Sequence, residues 1–374
     1  KIPATGELLP MIGLGTYDVF DVSGTAAELT ERREIVDLLI DKGGSLLDTS
    51  PMYNRSERII GEVIGQGDTR ADCFLATKVW TDGKDAGAAQ MARSAELMQT
   101  EVIDLMQVHN LRDLDTHVGT IREWRQDGRI RYNGFTDYRE SALGAMAAAM
   151  RKYKPQFIQI NYSLGERAAD RQLFPLAEEM GIAVLINRPY QAGALFRAVR
   201  GKSLPGWASE FADSWGQFFL KYIVSHPAVN CVIPATSKSH HMLDNLGAGF
   251  GPLPDAATRE HAQLLSIPVS TARSLHEKRT IRSAHRRDPV RQPVAVRPAV
   301  PRHDSVHRDL RWRTRTQRNT QSSTDRRADH LPVLHCFLVA IRTHARHAIL
   351  GTPHRRSGGT VTGNWRLHNP LRGG

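Results

Sequence analysis

The chain has 374 residues and a formal charge of +11, but this charge is unevenly distributed. Residues 266–374 hold 22 Lys and Arg against 6 Asp and Glu, a net +16, whereas residues 1–265 hold 28 against 33, a net −5. The basic character therefore gives no reason to expect a nucleic-acid or membrane-surface function for the first 265 residues. Three unpatterned cysteines indicate neither a disulfide framework nor a zinc site. No apolar run approaches the ~18 residues that span a membrane.

Strand and helix patterns alternate along the first 246 residues. Residues 1–10 predict a short hairpin at the floor of a barrel, with Gly6 at its turn. Strands are predicted at 11–16, 46–47, 73–80, 102–109, 132–136, 157–162, 183–187 and 230–233. Helices are predicted at 28–41, 56–64, 86–100, 117–126, 141–152, 169–180, 209–226 and 239–246, with Ser56 and Glu57 capping the second. Eight strand–helix units predict an α/β fold in which a parallel sheet closes into a (β/α)8 TIM barrel.

Ionisable side chains follow three successive strands of this pattern. Asp48 ends the second strand, and Tyr53 follows five positions later. Lys78 stands near the end of the third strand and His109 at the end of the fourth. A cation in an apolar run is costly unless it is paired. Because the carboxyl ends of barrel strands carry the chemistry, we expect these four side chains to lie together. A plain buried ion pair is the structural alternative for Lys78 and Asp48.

These residues carry a resemblance to a known family. Leu47-Asp48-Thr49-Ser50 with Tyr53, Thr77-Lys78-Val79, and Asp104-Leu105 leading to His109 resemble the aldo-keto reductases, which are NADPH-dependent carbonyl reductases on a TIM barrel. The resemblance covers about residues 2–260 and does not reach the C-terminal tail. It implies reduction of an aldehyde or ketone to an alcohol by hydride transfer from NADPH, with NADH as a possible substitute. Gly13 and Gly15 alone would suggest a dinucleotide fingerprint, but the third glycine and the following helix are missing.

Carbonyl reduction requires a hydride donor and a proton donor, and only a nicotinamide cofactor supplies the hydride. We expect Tyr53 to be the proton donor. A free tyrosine has a pKa near ~10, so we expect the Lys78 ammonium to lower the pKa of Tyr53. Asp48 would hold that ammonium in place. His109, by the resemblance, would hydrogen-bond the substrate oxygen and orient it.

The resemblance also implies where the cofactor and the substrate bind. The nicotinamide carboxamide would meet Thr136 and Asp137 at the end of strand five, and Gln159 and Asn161 at the end of strand six. An acid at position 137 departs from the family's usual amide or imidazole. The cofactor-binding residues Asn187 and Arg188 stand at the end of strand seven, where many members stack an aromatic on the nicotinamide, and here Tyr190 comes later. The phosphates and adenine would lie against Pro234, Thr236, Ser237, Lys238, His241 and Asn245. Lys238 with His241 would neutralise a 2′-phosphate and so favour NADPH.

Tyr17 and Trp80 would line the substrate site by their positions in the family. The alternative is that they are rim aromatics without a ligand. We expect a small-molecule carbonyl substrate, a monomer and no metal. A second possible function is a nicotinamide-binding regulatory subunit of the same fold with little catalysis. Because no membrane-facing or tetramer-forming signal is evident, the sequence favours the enzyme.

The tail, residues 266–374, contains 21 Arg and 10 His and has no sustained apolar periodicity. Such a composition predicts a disordered extension rather than a second folded domain. Its alternative is a basic arm for nucleic acid or an anionic surface, which we do not expect. Few cysteines indicate a reducing compartment, so the cytoplasm is expected. Export is the alternative, because the chain starts at Lys1 rather than Met.

Overall fold

Eight parallel strands in chain order form the barrel in the computed structural model, which describes residues 1–65 and 68–265. The sheet is closed between its first and last strands, where Gly13 N–H donates to Val232 O at 2.9 Å and Gly15 N–H donates to Pro234 O at 3.1 Å. The strands are β1 (Leu14–Gly15), β2 (Leu46–Asp48), β3 (Phe74–Val79), β4 (Ile103–His109), β5 (Ile130–Asp137), β6 (Phe157–Asn161), β7 (Ala183–Asn187) and β8 (Val229–Val232). The predicted barrel is therefore confirmed.

Helices cover the outside of this sheet. They are α1 (Ala26–Asp41), α2 (Ser56–Ile64), α3 (Lys84–Leu97), α4 (Leu114–Gln126), α5 (Leu143–Tyr153), α6 (Ala169–Gln172), α7 (Phe174–Met180), α8 (Ala194–Ala198), α9 (Trp215–Val224), α10 (Ser239–Gly247) and α11 (Ala256–Gln263). The aromatic side chains of α9 pack against the barrel wall, and Phe218, Phe219 and Tyr222 are fully or almost fully buried. The predicted tail, residues 266–374, lies outside the described residues.

The barrel interior changes from apolar to polar along strands β2 to β7. Alternate residues point inward, so β3 contributes Phe74, Ala76 and then Lys78, and β4 contributes Leu105, then Gln107 and His109. The apolar members join Ile2 and Leu9 in one buried cluster at the floor. The polar members come last on their strands and form a layer at the carboxyl end. The alternation that builds the fold therefore also delivers the ionisable groups to one rim.

Several local predictions differ from the structure. Residues 2–7 form a turn in which Ile2 N–H donates to Glu7 O at 2.8 Å, with Gly6 at φ +77°, and no paired strands. The sixth predicted helix is split at Leu173, because Pro175 in the first turn of α7 has no N–H to continue α6. Helix α9 begins at Trp215 rather than at 209, because the Ser214 hydroxyl accepts the Gln217 N–H and caps it.

The sequence did not predict two short helices, and the predicted cap of α2 is wrong. Helices α8 and α11 each have fewer than nine residues and little apolar periodicity. Ser56 does not cap α2. It lies inside the helix, where its hydroxyl donates to Tyr53 O at 2.8 Å. The serine therefore ties the start of α2 to the backbone of the predicted proton donor.

Two mid-helix glycines should respond oppositely to alanine. A Cβ on Gly61 in α2 would lie 2.1 Å from Leu97 O at the end of α3, whereas a Cβ on Gly119 in α4 has no atom within 4 Å. Gly61→Ala should therefore destabilise the fold by about 1–3 kcal/mol through overpacking. Gly119→Ala should stabilise it by roughly 0.5–1 kcal/mol, since alanine is the better helix former. Urea unfolding of both variants measures the two changes, and shifts of the same sign would contradict this packing.

Candidate active site

The four predicted catalytic side chains lie together at the carboxyl rim of the barrel. Lys78 Nζ is 2.7 Å from Asp48 Oδ2 and also donates to Thr49 O at 2.5 Å. The same Nζ lies 5.0 Å from the centre of the Tyr53 ring. The Tyr53 and His109 ring centres are 6.2 Å apart, with the rings almost perpendicular. The loop after β2 thus brings the phenol to the ion pair and the imidazole.

Asp48 is the common acceptor of the polar layer. Its Oδ1 accepts hydrogen bonds from Gln107 Nε2 at 3.2 Å and from Gln159 Nε2 at 2.6 Å, while Oδ2 accepts from Lys78. One carboxylate therefore ties together side chains of β2, β3, β4 and β6. The predicted ion pair is real, and it is also buried, with both side chains at most 3% exposed. Sequence analysis did not identify Gln107 as part of this site, although its place two residues before His109 on β4 puts it on the same inward face.

Burial and neighbouring charge set the protonation of the site. Burial of the phenol raises the pKa of Tyr53 well above its ordinary value, and the charge of Asp48 raises it further. The expected lowering of this pKa by Lys78 is therefore wrong. The physical reason is that burial and the Asp48 carboxylate both destabilise a phenolate, and the Lys78 ammonium, which is paired with that carboxylate, offsets only part of this cost. Burial also lowers the pKa of Lys78, against the opposing effect of Asp48.

His109 is held as a neutral imidazole. Burial lowers its pKa well below the ordinary value, and the nearby charge of Lys78 acts in the same direction. Ser50 Oγ lies 3.1 Å from His109 Nδ1, and both side chains are buried. Ser50 is the last residue of the Leu47-Asp48-Thr49-Ser50 motif, but the motif alone predicts no role for it. Its contact with a residue 59 positions away could not be recognised from spacing alone.

The amide side chains at the ends of β6 and β7 could hold a nicotinamide carboxamide. Gln159 Oε1 accepts from Thr136 Oγ1 at 3.1 Å and from Asn187 Nδ2 at 3.4 Å. Asn161 Nδ2 donates to Glu166 Oε2 at 3.1 Å. The Oδ1 atoms of Asn161 and Asn187 are buried without a partner, and the two residues face each other in the register of β6 and β7. Two adjacent acceptors that lack donors suit the NH2 group of a carboxamide.

The other rim residues predicted near the nicotinamide are already engaged. Both carboxylate oxygens of Asp137 accept from Arg139, at 2.9 Å and 2.6 Å, so the acid at this position is paired within its own loop. The guanidinium of Arg188 lies 5.2 Å from the centre of the Tyr138 ring. Tyr190 is partly buried against the core, and its hydroxyl donates to Asn245 Oδ1 at 2.6 Å. Tyr190 is therefore not placed to stack on a ligand at the strand ends, and the Asn245 oxygen is occupied.

The predicted phosphate segment joins β8 to α10. Pro234 and Thr236 are buried, while Lys238 and His241 are exposed at the start of α10 and Ser237 is partly exposed. The Thr236 hydroxyl accepts the Lys238 N–H at 3.1 Å, which fixes the turn into the helix. Lys238 is the N-cap residue of α10, but its side chain makes no capping hydrogen bond. The first amides of this helix are thus available to an anion, next to two exposed basic residues.

Two aromatic residues border the mouth of the site. The Tyr17 ring centre lies 5.0 Å from that of Tyr53, and Tyr17 is 42% exposed. The Arg112 guanidinium lies 4.6 Å from the centre of the Trp80 ring, and Arg112 also forms an ion pair with Asp82. Tyr17 therefore contacts the predicted proton donor directly, whereas Trp80 contacts a guanidinium that is itself paired with Asp82.

In the part of the chain that the structure describes, no group of three or more His, Cys, Asp or Glu side chains could hold a metal ion. Within the same residues, none of the helices has both the length and the apolar character needed to cross a membrane.

A (β/α)8 barrel with a Tyr, Lys, Asp and His cluster beside unpaired amide oxygens defines a nicotinamide-dependent barrel oxidoreductase. The model of the Aldo/keto reductase family matches residues 11–265. The chain belongs to this family, and the predicted class of NAD(P)H-dependent oxidoreductase is confirmed.

Known relatives agree with this assignment. The chain is 28% identical over 201 residues to the aldo-keto reductase YhdN of Bacillus subtilis, covering 50% of this chain and 60% of that relative. It is 24% identical over 245 residues to the glyoxal reductase of the same species, covering 64% and 83%. Among solved structures, an aldo-keto reductase from Klebsiella pneumoniae in complex with NADPH matches with a TM-score of 0.60 and 22% identity, covering 71% of this chain and 94% of that one.

Proposed function

We propose that this protein reduces an aldehyde or ketone to an alcohol with NADPH, and that Tyr53 donates the proton. The observation that carries the proposal is the convergence of a phenol, a buried ammonium–carboxylate pair and a neutral imidazole at one rim. A plain structural ion pair accounts for Lys78 and Asp48, but it does not account for the phenol and the imidazole beside them.

NADPH, when bound, supplies the hydride. The residues of this chain that would hold it lie on both sides of the rim. The unpaired Oδ1 atoms of Asn161 and Asn187 would accept the carboxamide N–H groups, with Gln159 beside them. The start of α10, with Lys238 and His241, would receive the 2′-phosphate.

The protein's own groups then act on the substrate oxygen. A neutral His109 would donate a hydrogen bond to the carbonyl oxygen and fix its position. Tyr53, whose raised pKa keeps it protonated at neutral pH, would transfer its proton as negative charge develops on that oxygen. The phenolate left behind would be stabilised by the Lys78 ammonium, which lies 5.0 Å from the ring centre. This stabilisation offsets part of the cost of forming a buried phenolate during the proton transfer.

Fluorescence titration with NADPH and NADH, followed by an aldehyde and ketone panel, tests this function. We expect NADPH binding and oxidation that depends on the carbonyl compound. NADPH binding without turnover of any carbonyl would favour the second candidate, a nicotinamide-binding regulatory subunit. No binding of either nucleotide would contradict both functions.

Cofactor preference should depend on the two exposed basic residues at the start of α10. The double variant Lys238→Ala/His241→Ala should raise the Kd for NADPH by about 5- to 30-fold, because two charge-assisted contacts to the 2′-phosphate are lost. The Kd for NADH, which lacks that phosphate, should change less than about 2-fold. His240→Ala removes an exposed histidine next to His241 on the same helix and serves as the matched control. Equal weakening of both nucleotides would show that these side chains do not read the 2′-phosphate.

A further inference from the structure

Ser50 is locked in a tight turn between β2 and the phenol. Its carbonyl accepts the Tyr53 N–H at 2.9 Å, and its hydroxyl oxygen accepts the Met52 N–H at 3.2 Å. Pro51, the next residue, restricts the backbone of the turn. The Ser50 side chain is completely buried. Its hydroxyl therefore has a fixed position and no access to water.

Among the described residues, the hydroxyl proton of Ser50 has one hydrogen-bond acceptor. The oxygen already accepts from Met52, and its other contact is His109 Nδ1 at 3.1 Å. A buried hydroxyl that accepted from Nδ1–H instead would leave its own proton without an acceptor, which costs free energy. Donation from Ser50 to Nδ1 satisfies both groups. It also requires that Nδ1 carries no proton.

We propose that Ser50 is a positioning residue that holds His109 in the tautomer protonated at Nε2. A neutral imidazole has one donor and one acceptor nitrogen, and the partner of one nitrogen decides the role of the other. With Nδ1 accepting from Ser50, Nε2 becomes a donor, and the described residues offer Nε2 no hydrogen-bond partner. A donor is what a carbonyl oxygen requires, whereas the opposite tautomer would present a lone pair and repel it. The part of this inference that concerns activity rests on the proposed function.

Nitrogen-15 NMR of the full chain tests the tautomer without reference to activity. The His109 resonances are assigned as those missing in His109→Gln. In the wild type, Nδ1 should resonate as an unprotonated nitrogen and Nε2 as a protonated one. Ser50→Ala should move the chemical shifts of both nitrogens toward the values of a mixture of tautomers. Ser50→Thr, which keeps the hydroxyl, should have the wild-type chemical shifts. A protonated Nδ1 in the wild type, or an unchanged spectrum in Ser50→Ala, would overturn the proposal.

Steady-state kinetics tests whether the tautomer matters for catalysis. Ser50→Ala should lower kcat by about 3- to 10-fold, which is the loss of one hydrogen bond, with the Kd for NADPH unchanged. In the His109→Gln background the same change should have no further effect, because Ser50 acts through the imidazole. Additive losses in the double variant would mean that Ser50 acts through its turn instead. If the wild type reduces no carbonyl compound, the proposed function fails while the NMR result still decides the tautomer.

Discussion

Tyr53→Phe should lower kcat for carbonyl reduction by about 10²- to 10⁴-fold, the range that a positioned general acid contributes. The change removes one oxygen and keeps the ring, so the contacts of the Tyr53 ring with Tyr17 and His109 should survive. NADPH binding should persist, because the amides of Asn161 and Asn187 and the start of α10 are unaltered. Single-turnover kinetics with a generic aldehyde and fluorescence titration with NADPH provide the two measurements.

Tyr153→Phe is the matched control for this change. It also removes a phenol hydroxyl, but from a residue on α5 whose hydroxyl is buried without a hydrogen-bond partner. We expect wild-type turnover from this variant. If Tyr53→Phe turned over as fast as Tyr153→Phe, another group would have to be the acid. Loss of NADPH binding in Tyr53→Phe would instead show that the phenol shapes the cofactor site.

Lys78→Met should destabilise the fold by about 3–5 kcal/mol and remove activity. The methionine has a similar length but no charge, so Asp48 would be left as an unpaired buried carboxylate. Asp48→Asn/Lys78→Met removes both charges and should recover most of the stability without recovering turnover. Urea unfolding and aldehyde reduction, measured on the same preparations, separate the structural effect from the catalytic one.

A surface ion pair provides the comparison for this change. Lys152 Nζ lies 3.0 Å from Asp115 Oδ1, but both side chains are more than half exposed. Lys152→Met should therefore change the free energy of unfolding by less than about 1 kcal/mol. If the double variant at positions 48 and 78 regained activity together with stability, the ammonium would have a purely structural role.

The sequence predicts the barrel well because its signal is repeated along the chain. In β2 to β7 an apolar stretch is followed by a polar residue at or next to the carboxyl end, and the eight strands alternate with helices. The same regularity predicts the catalytic cluster, since Asp48, Lys78 and His109 all come at the carboxyl ends of neighbouring strands. The split of the sixth helix could also have been predicted, because Pro175 lies inside the pattern.

What the sequence does not predict depends on contacts between distant residues. The pKa of Tyr53 is raised by burial and by the charge of Asp48, and neither effect can be judged from spacing, although the pairing of Lys78 with Asp48 was expected. Ser50 contacts His109 only because β2 and β4 end at the same rim. The engagement of Asn245 by Tyr190 likewise joins two segments that are 55 residues apart.

The single carboxylate at the centre of the polar layer has a thermodynamic consequence. One oxygen of Asp48 accepts a hydrogen bond from Gln159, which lies beside the proposed carboxamide site, and the other oxygen accepts one from Lys78. A nucleotide that hydrogen-bonded to the Gln159 amide would change the hydrogen bond from Gln159 to Asp48. Asp48 is also the carboxylate that pairs with the Lys78 ammonium. Nucleotide binding and ionisation of the Tyr53 phenol are then linked equilibria. Binding changes the free energy of ionisation by the same amount as ionisation changes the free energy of binding.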